Sequence, residues 1–141
     1  MRYFKFLLAI VLTATVLISC QDKKGEKWEE TMKVHDAVML KMQETGEMQA
    51  KLNQLIMRAK QDSSTILYTK LDTLQIAFDA LEKADVEMMD WMAHIQKPRK
   101  NDNQDSVLNY LEQEQQSITA VGVTMDNAVT QAENILKSLE K

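Results

Sequence analysis

The sequence predicts an all-α protein, an antiparallel up-down-up three-helix bundle with coiled-coil-like heptad packing. The 141 residues include only one proline and three glycines, and the body of the chain is rich in Glu, Gln, Lys, Leu, Met and Ala, which favour helices. No segment shows the period-two alternation that is typical of a β-strand. Helix-breaking and cap-forming residues concentrate at "KQDSST" (60–65) and "KPRKNDN" (97–103), which would separate three long helices.

Residues 1–19 are predicted to be a signal peptide. Arg2 and Lys5 give a positively charged start, and residues 6–18 are uncharged and mostly apolar, which is the layout of a secretory leader. This run is shorter than the roughly 20 residues that a helix needs to cross a bilayer. The stretch "LISC" (17–20) resembles the lipobox of bacterial lipoproteins, in which the cysteine becomes the lipidated first residue of the mature chain.

Cys20 is the only cysteine of the sequence, so we expect it to carry lipid and not to form a disulfide. The alternative is a chance cysteine after an ordinary signal peptide. Residues 20–27 are predicted to be the lipidated cysteine and a flexible tether, because "QDKKGEK" (21–27) is charged and lacks apolar periodicity. The bundle would then occupy residues 28–141.

The net charge of the chain limits the classes of partner that it is expected to bind. Removal of Arg2 and Lys5 with the leader changes 17 Lys and Arg to 15, against 21 Asp and Glu, so the net charge becomes −6. An acidic balance argues against nucleic-acid binding and against an electrostatic grip on anionic lipid. The expected link to the membrane is therefore the lipid on Cys20.

The three helices are expected at residues 28–61, 64–96 and 104–139. In the second and third, apolar residues recur at alternating steps of three and four, which indicates coiled-coil-like packing. Short connections make consecutive helices antiparallel. The first helix carries two adjacent stripes, which indicates two neighbouring helices. These stripes are Trp28, Met32, His35, Met39, Met42 and Gly46, and Val34, Val38, Met48, Leu52, Leu55 and Ala59.

The fold-back register brings Gly46, Phe78 and Gly122 to nearly the same height. A glycine within a helix costs about 1 kcal/mol relative to alanine, so some compensation is expected. We therefore expect that both glycines make room for the ring of Phe78.

The same register places the first stripe of helix 1 opposite "MMDWMAH" (88–94). Thioether sulfur and imidazole nitrogen are ligands that suit Cu(I), so a copper site is one hypothesis. The competing interpretation, which we favour, is packing without a cofactor, because methionine commonly fills gaps in cores. His94 falls on an outer face beside Asp90 and is not a candidate ligand. The residues of the copper hypothesis are Met32, His35, Met39, Met88 and Met92.

The sequence gives little support for other metal sites or for enzymatic activity. There is no Glu-x-x-His pair for a di-iron bundle, no HExxH motif, no glycine-rich phosphate loop and no second cysteine. A hydrolase would need Ser or Cys near His and an orienting carboxylate, but Cys20 is assigned to lipid and His94 to an outer face. We expect no enzymatic activity, no catalytic residue and no small-molecule substrate.

The segments "HDAVMLKM" (35–42) and "MMDWMAHIQKP" (88–98), in a small lipoprotein, resemble a group of short lipoproteins from Bacteroidota. Some of these are labelled as containing a viral A-type inclusion protein repeat, a name that reflects coiled-coil-like similarity. The resemblance implies an envelope lipoprotein with a helical body and no established activity. It favours the outer membrane of a Gram-negative bacterium, although the residues after Cys20 leave sorting open.

The leading prediction is therefore a lipid-anchored, non-enzymatic protein of the bacterial cell envelope with an interaction or accessory role. An envelope protein is its possible partner. Helix 1 is the element expected to face that partner, because Leu40 and Met57 lie off both apolar stripes. The alternative is a periplasm-facing Cu(I)-binding or copper-stress lipoprotein.

Overall fold

The structure is a computed structural model that describes residues 22–139. It is all-helical, with 87% of these residues in helices and no strand among them, so the predicted all-α class is confirmed. The expected signal peptide and Cys20 lie outside the described range. Within that range, none of the helices combines the length and apolar character that a membrane span requires. Four helices pack closely together: α1 (Lys23–Gln61), α2 (Ile66–Thr69), α3 (Leu71–His94) and α4 (Gln104–Leu139).

The first helix begins at Lys23, five residues before the predicted start at residue 28. Asp22 caps it, because its carboxylate accepts a hydrogen bond from the backbone N–H of Gly25 at 3.1 Å. Residues 23–27, predicted to belong to a tether, are therefore the first turns of α1. The lack of apolar periodicity was misleading here, because a cap and a tertiary contact of Lys24, described below, hold this segment.

The predicted second helix, residues 64–96, is two helices and ends earlier. Residues 62–65 form a turn in which Ser64 donates to the Asp62 carboxylate from its hydroxyl at 2.6 Å and its backbone N–H at 2.9 Å. These hydrogen bonds hold the pKa of Asp62 below its ordinary value. The short α2 buries no side chain and stops at Lys70, where the backbone leaves the helical conformation.

The end of α3 and the start of α4 follow from local sequence. Ile95 is extended, so α3 ends at His94 and not at residue 96. Pro98 could not continue the helix, because its ring would clash with the carbonyl four residues earlier, that of His94. Asn103 then caps α4 by accepting from the N–H of Ser106 at 3.0 Å. The bounds of α4 are those predicted, 104–139.

Contacts between α1 and α4 show that these helices run in the same direction. Near the start of both, Lys27 donates to the side chain of Gln115 at 2.7 Å. Further along both helices, Lys41 lies against the carboxylate of Asp126. The contacts therefore advance together toward the C-terminal ends of the two helices.

Contacts between α1 and α3 advance in opposite directions. His35 lies against Trp91, and ten residues later on α1, Thr45 hydrogen-bonds to Asp85. Moving toward the C-terminus of α1 thus means moving toward the N-terminus of α3. The two helices are antiparallel.

The core lies where the three long helices meet, and its buried residues fall between 31 and 132. On α1 the buried side chains recur every seventh residue, and two of them are threonines that the apolar stripes did not include. All of these buried residues follow Cys20, so a chain that starts at residue 20 keeps the whole core. The row on α1 is Thr31, Val38, Thr45, Leu52 and Ala59, joined by Ile56; that on α3 is Leu74, Ala77, Leu81, Ala84, Met88 and Trp91.

The prediction that Gly46 and Gly122 make room for the ring of Phe78 is wrong. A Cβ atom at Gly122 would lie 2.9 Å from Cγ2 of Val38, whereas a Cβ at Gly46 would meet nothing within 4 Å. Gly122 therefore permits close approach of α1 and α4 at Val38. Gly46 is exposed and makes no room for the Phe78 ring.

Candidate functional site

Of the residues of the copper hypothesis, His35 makes a contact between α1 and α3, and the methionines are buried or partly buried. His35 stacks on Trp91, with ring centroids 5.6 Å apart and ring planes inclined by 28°. Met88 is fully buried in the core, while Met39 and Met92 are partly buried against it. Met32 is also partly buried. The structure thus brings His35 beside the methionine-bearing end of α3.

The two histidines differ as the spacing predicts. Nδ1 of His35 lies 2.9 Å from the carboxylate of its neighbour Asp36, and its ring packs inward. His94 is on an exposed face, with Nδ1 at 2.8 Å from the carbonyl and 3.3 Å from the carboxylate of Asp90. His35 remains the candidate nitrogen ligand of the cluster.

No group of three or more His, Cys, Asp or Glu side chains in residues 22–139 is arranged to hold a metal ion. A methionine-based Cu(I) site is a different kind of site and stays a prediction.

Trp91, the stacking partner of His35, is a buried side chain with a polar N–H group. It is 5% exposed, and its indole N–H is buried without a hydrogen-bond partner among the described residues. Leaving a buried donor unpaired costs about 1–3 kcal/mol. The apolar packing of the ring and its stacking on His35 offset that cost, so this contact is held by area and shape.

A polar trio lies further along the same α1–α3 interface and was not identified from the sequence. Thr45 donates to Oδ1 of Asp85 at 2.5 Å, and Gln49 donates to Oδ2 at 2.9 Å. Thr45 is fully buried, and its hydroxyl also lies 2.9 Å from the carbonyl of Met42. The signal was present in the sequence, because Asp85 lies four residues after Leu81 and three before Met88, where the alternating spacing predicts an apolar residue.

A second candidate site lies at the end of the molecule where α1 begins. A cleft of about 580 Å³ is bordered by the start of α1 and by the connection between α3 and α4. Nζ of Lys97 lies 6.0 Å from the ring centroid of Trp28, within range of a cation–π interaction. The lining residues are Asp22, Lys24, Gly25, Trp28, Glu29, Lys97, Pro98, Arg99 and Lys100.

The connection is fastened to α1 at this cleft by Lys24. Its ammonium group donates to the backbone carbonyls of Arg99 at 3.2 Å, Lys100 at 2.8 Å and Asp102 at 3.0 Å. Sequence reasoning missed the cleft because its cations come from two segments more than seventy residues apart. It had also assigned the first of these segments to a tether.

The expected exposure of Leu40 and Met57 is confirmed, at 74% and 53%. These side chains are not the only exposed apolar ones, because α3 exposes Ile76 and Val86 and α4 exposes Val123. Exposure alone therefore does not single out α1 as the partner-facing helix.

Comparisons with protein-family models, with curated proteins and with solved structures find no match for this chain. Its function therefore has to be inferred from its own residues.

Proposed function

We propose that this chain is a lipid-anchored, non-enzymatic protein of the bacterial cell envelope with an interaction or accessory role. The observation that carries the proposal is the position of "LISC" (17–20), which ends directly before the folded body that begins at Lys23. Each buried methylene of an acyl chain contributes about 0.8 kcal/mol, so a multiply acylated Cys20 would anchor this body stably. The resemblance to Bacteroidota lipoproteins favours the outer membrane.

The body would be an antiparallel up-down-up three-helix bundle with coiled-coil-like heptad packing, in which α2 is part of the first connection. The seven-residue recurrence of buried side chains on α1 and the opposite direction of α3 support this architecture. At 1.5 Å per residue, α1 is about 58 Å long. A rod of that length would carry the exposed Leu40 and Met57 away from the membrane toward an envelope partner.

The anchor is tested in cells that express the full chain. We expect [³H]palmitate labelling and membrane association of the wild type, and loss of both in Cys20→Ser. The matched control is Cys20→Ser with Ser63→Cys, which moves the only cysteine to an exposed turn. Labelling of this double variant to the level of the wild type, or an unlabelled wild type, would contradict the proposal.

Cu(I) binding is the second candidate function, and one contact favours it. The stacking of His35 on Trp91 brings an imidazole beside α3, the helix that carries Met88 and Met92. Titration of the mature chain with Cu(I) tests this, using His35→Ala with Met39→Leu as the variant and exposed Met57→Leu as the control. Binding weaker than micromolar, or unchanged in the double variant, would rule out copper as a ligand.

A further inference from the structure

We propose that the basic cleft at the start of α1 binds the phosphate groups of anionic lipid headgroups. The surface, here called the membrane-proximal tip, consists of residues 22–29 and 95–103. This inference rests on the proposed lipid anchor, which sets the tip beside the bilayer. It goes beyond that anchor, because the contact would be made by the side chains of the folded body.

Chain length keeps the tip close to the membrane. Three peptide units separate Cys20 from Lys23, the first residue of α1, and an extended chain spans at most about 3.6 Å per residue. The start of the folded body would therefore lie within about 11 Å of the lipid-bearing residue. The long axis of the molecule would leave the membrane at this end.

The local charge of the tip is opposite to that of the whole chain. The tip has six Lys and Arg against four Asp and Glu, a net charge of +2. The cations that line its cleft are Lys24, Lys97, Arg99 and Lys100. Charges separated by more than about 8 Å are largely screened at physiological ionic strength. The bilayer would therefore meet the positive tip, and the acidic remainder of the chain would contribute little.

Three cations of the tip, Lys97, Arg99 and Lys100, face the cleft, whereas the ammonium group of Lys24 is used by the carbonyls of the connection. Asp22 is engaged in capping α1, and Asp102 accepts from the backbone N–H of Arg99 at 2.8 Å. The Arg99 side chain is 88% exposed, with Nε 3.5 Å from Asp102. Since Lys24 holds the carbonyls of this connection, the cations are presented from a fastened segment.

The side chains of the cleft have the chemistry of a membrane interface. Guanidinium and ammonium groups form charge-assisted hydrogen bonds with phosphate. Tryptophan is enriched at the level of lipid headgroups, because its ring is apolar and its N–H is polar. Trp28 lines the cleft, and Nζ of Lys97 lies over its ring.

The test uses the unlipidated chain, residues 20–141 with Cys20→Ser, which contains every residue of the core. Flotation measures its partition onto vesicles of phosphatidylcholine alone or mixed with phosphatidylglycerol. Basic residues near an anionic surface contribute about 1 kcal/mol each, so we expect partition at least about tenfold higher onto the anionic vesicles at low salt. Raising the ionic strength should abolish the difference.

The decisive variant is Lys97→Gln with Arg99→Gln and Lys100→Gln, which should lower anionic partition by at least about tenfold. The matched control removes the same charge from the far end of α1, with Lys51→Gln, Arg58→Gln and Lys60→Gln, and should keep the binding. Circular dichroism verifies that both variants are folded. Equal partition onto the two kinds of vesicle, or equal loss in both variants, would overturn the inference. Because no lipid is attached, failure here is distinct from failure of palmitate labelling.

Discussion

The two contacts of α1 are built differently. Against α3, α1 makes a desolvated contact that combines the buried Met88 with the hydrogen-bonded Asp85. Against α4, it makes a close approach permitted by Gly122, flanked by the ion pair of Lys41. Both α3 and α4 bury apolar side chains in the core. The contact with α3 adds paired polar groups, whereas the contact with α4 adds a close approach at a position without a side chain.

This difference predicts how each contact responds to substitution. A buried side chain contributes through the area and hydrogen bonds that it removes from water, so truncation there is costly. An exposed ion pair contributes little, because water already solvates both charges. Loss of a buried group at the contact with α3 should therefore cost more than loss of the Lys41 ion pair, and the close approach at Gly122 should be sensitive to an added group.

The largest effect is expected for Met88→Ala. Removal of this fully buried side chain should lower the free energy of unfolding by about 3 kcal/mol, because a cavity remains in the core. Urea denaturation measures the loss. The control, Met57→Ala at an exposed position of α1, should change stability by no more than about 0.5 kcal/mol. Similar values for the two variants would contradict the placement of Met88.

Next in size is Thr45→Val. This change keeps the shape of the side chain but removes the hydroxyl that donates to Asp85, so a partly buried carboxylate loses a partner. We expect a loss of about 1–2 kcal/mol in the free energy of unfolding. Thr119→Val is the control, because its hydroxyl bonds only to its own helix, at Gln115, on an exposed face. If both valine variants were equally stable, the trio would contribute nothing.

Alanine substitutions at Gly122 and Gly46 are expected to change the free energy of unfolding in opposite directions. Gly122→Ala adds a Cβ 2.9 Å from Val38, and this overpacking should outweigh the gain in helix propensity, for a net loss of about 1 kcal/mol. Gly46→Ala has open space around its Cβ and should stabilise by about 0.5–1 kcal/mol. Thermal and urea unfolding of both variants measures the signs.

A double-mutant cycle identifies the cause of the loss at Gly122. In a Val38→Ala background the obstructing methyl groups are absent, so Gly122→Ala should become stabilising. A loss that persists in this background would show that the close approach at Val38 is not what excludes a side chain.

The smallest effect is expected for Lys41→Gln. Its partner Asp126 is exposed, so loss of the pair should cost at most about 0.5 kcal/mol, and high salt should remove even that difference. Unfolding at low and high ionic strength measures both quantities. A loss comparable to that of Met88→Ala would mean that the two contacts are not different in kind.

Much of the fold was accessible from the sequence, because local rules act on it directly. The start of α4 follows from the cap at Asn103, and its buried row follows the predicted spacing of apolar residues. Thr31 and Thr45 were missed, because a pattern of apolar residues omits buried hydroxyl groups. The hydroxyl of Thr31 donates to the carbonyl of Lys27 and that of Thr45 donates to Asp85. The start of α1 was missed because Lys24 acts through a contact with a distant segment.

The candidate sites likewise include one that was predictable from the sequence and one that was not. The approach of His35 to α3 was predictable, since an antiparallel register needs only the lengths of two helices and their connection. The cleft around Trp28 was not, because it depends on where the α3–α4 connection folds back, which the tie to Lys24 determines. The occupant of the space at Gly122 also depends on the rotation of α1 about its axis, which spacing fixes only approximately.

The fastening of the α3–α4 connection by Lys24 has a mechanical consequence. Tension applied through a lipid on Cys20 would enter the folded body at Lys23, one residue before the side chain that holds three carbonyls of that connection. Part of the load would pass through these hydrogen bonds to the connection, so α1 and the α3–α4 connection would share it from the first turn of the helix.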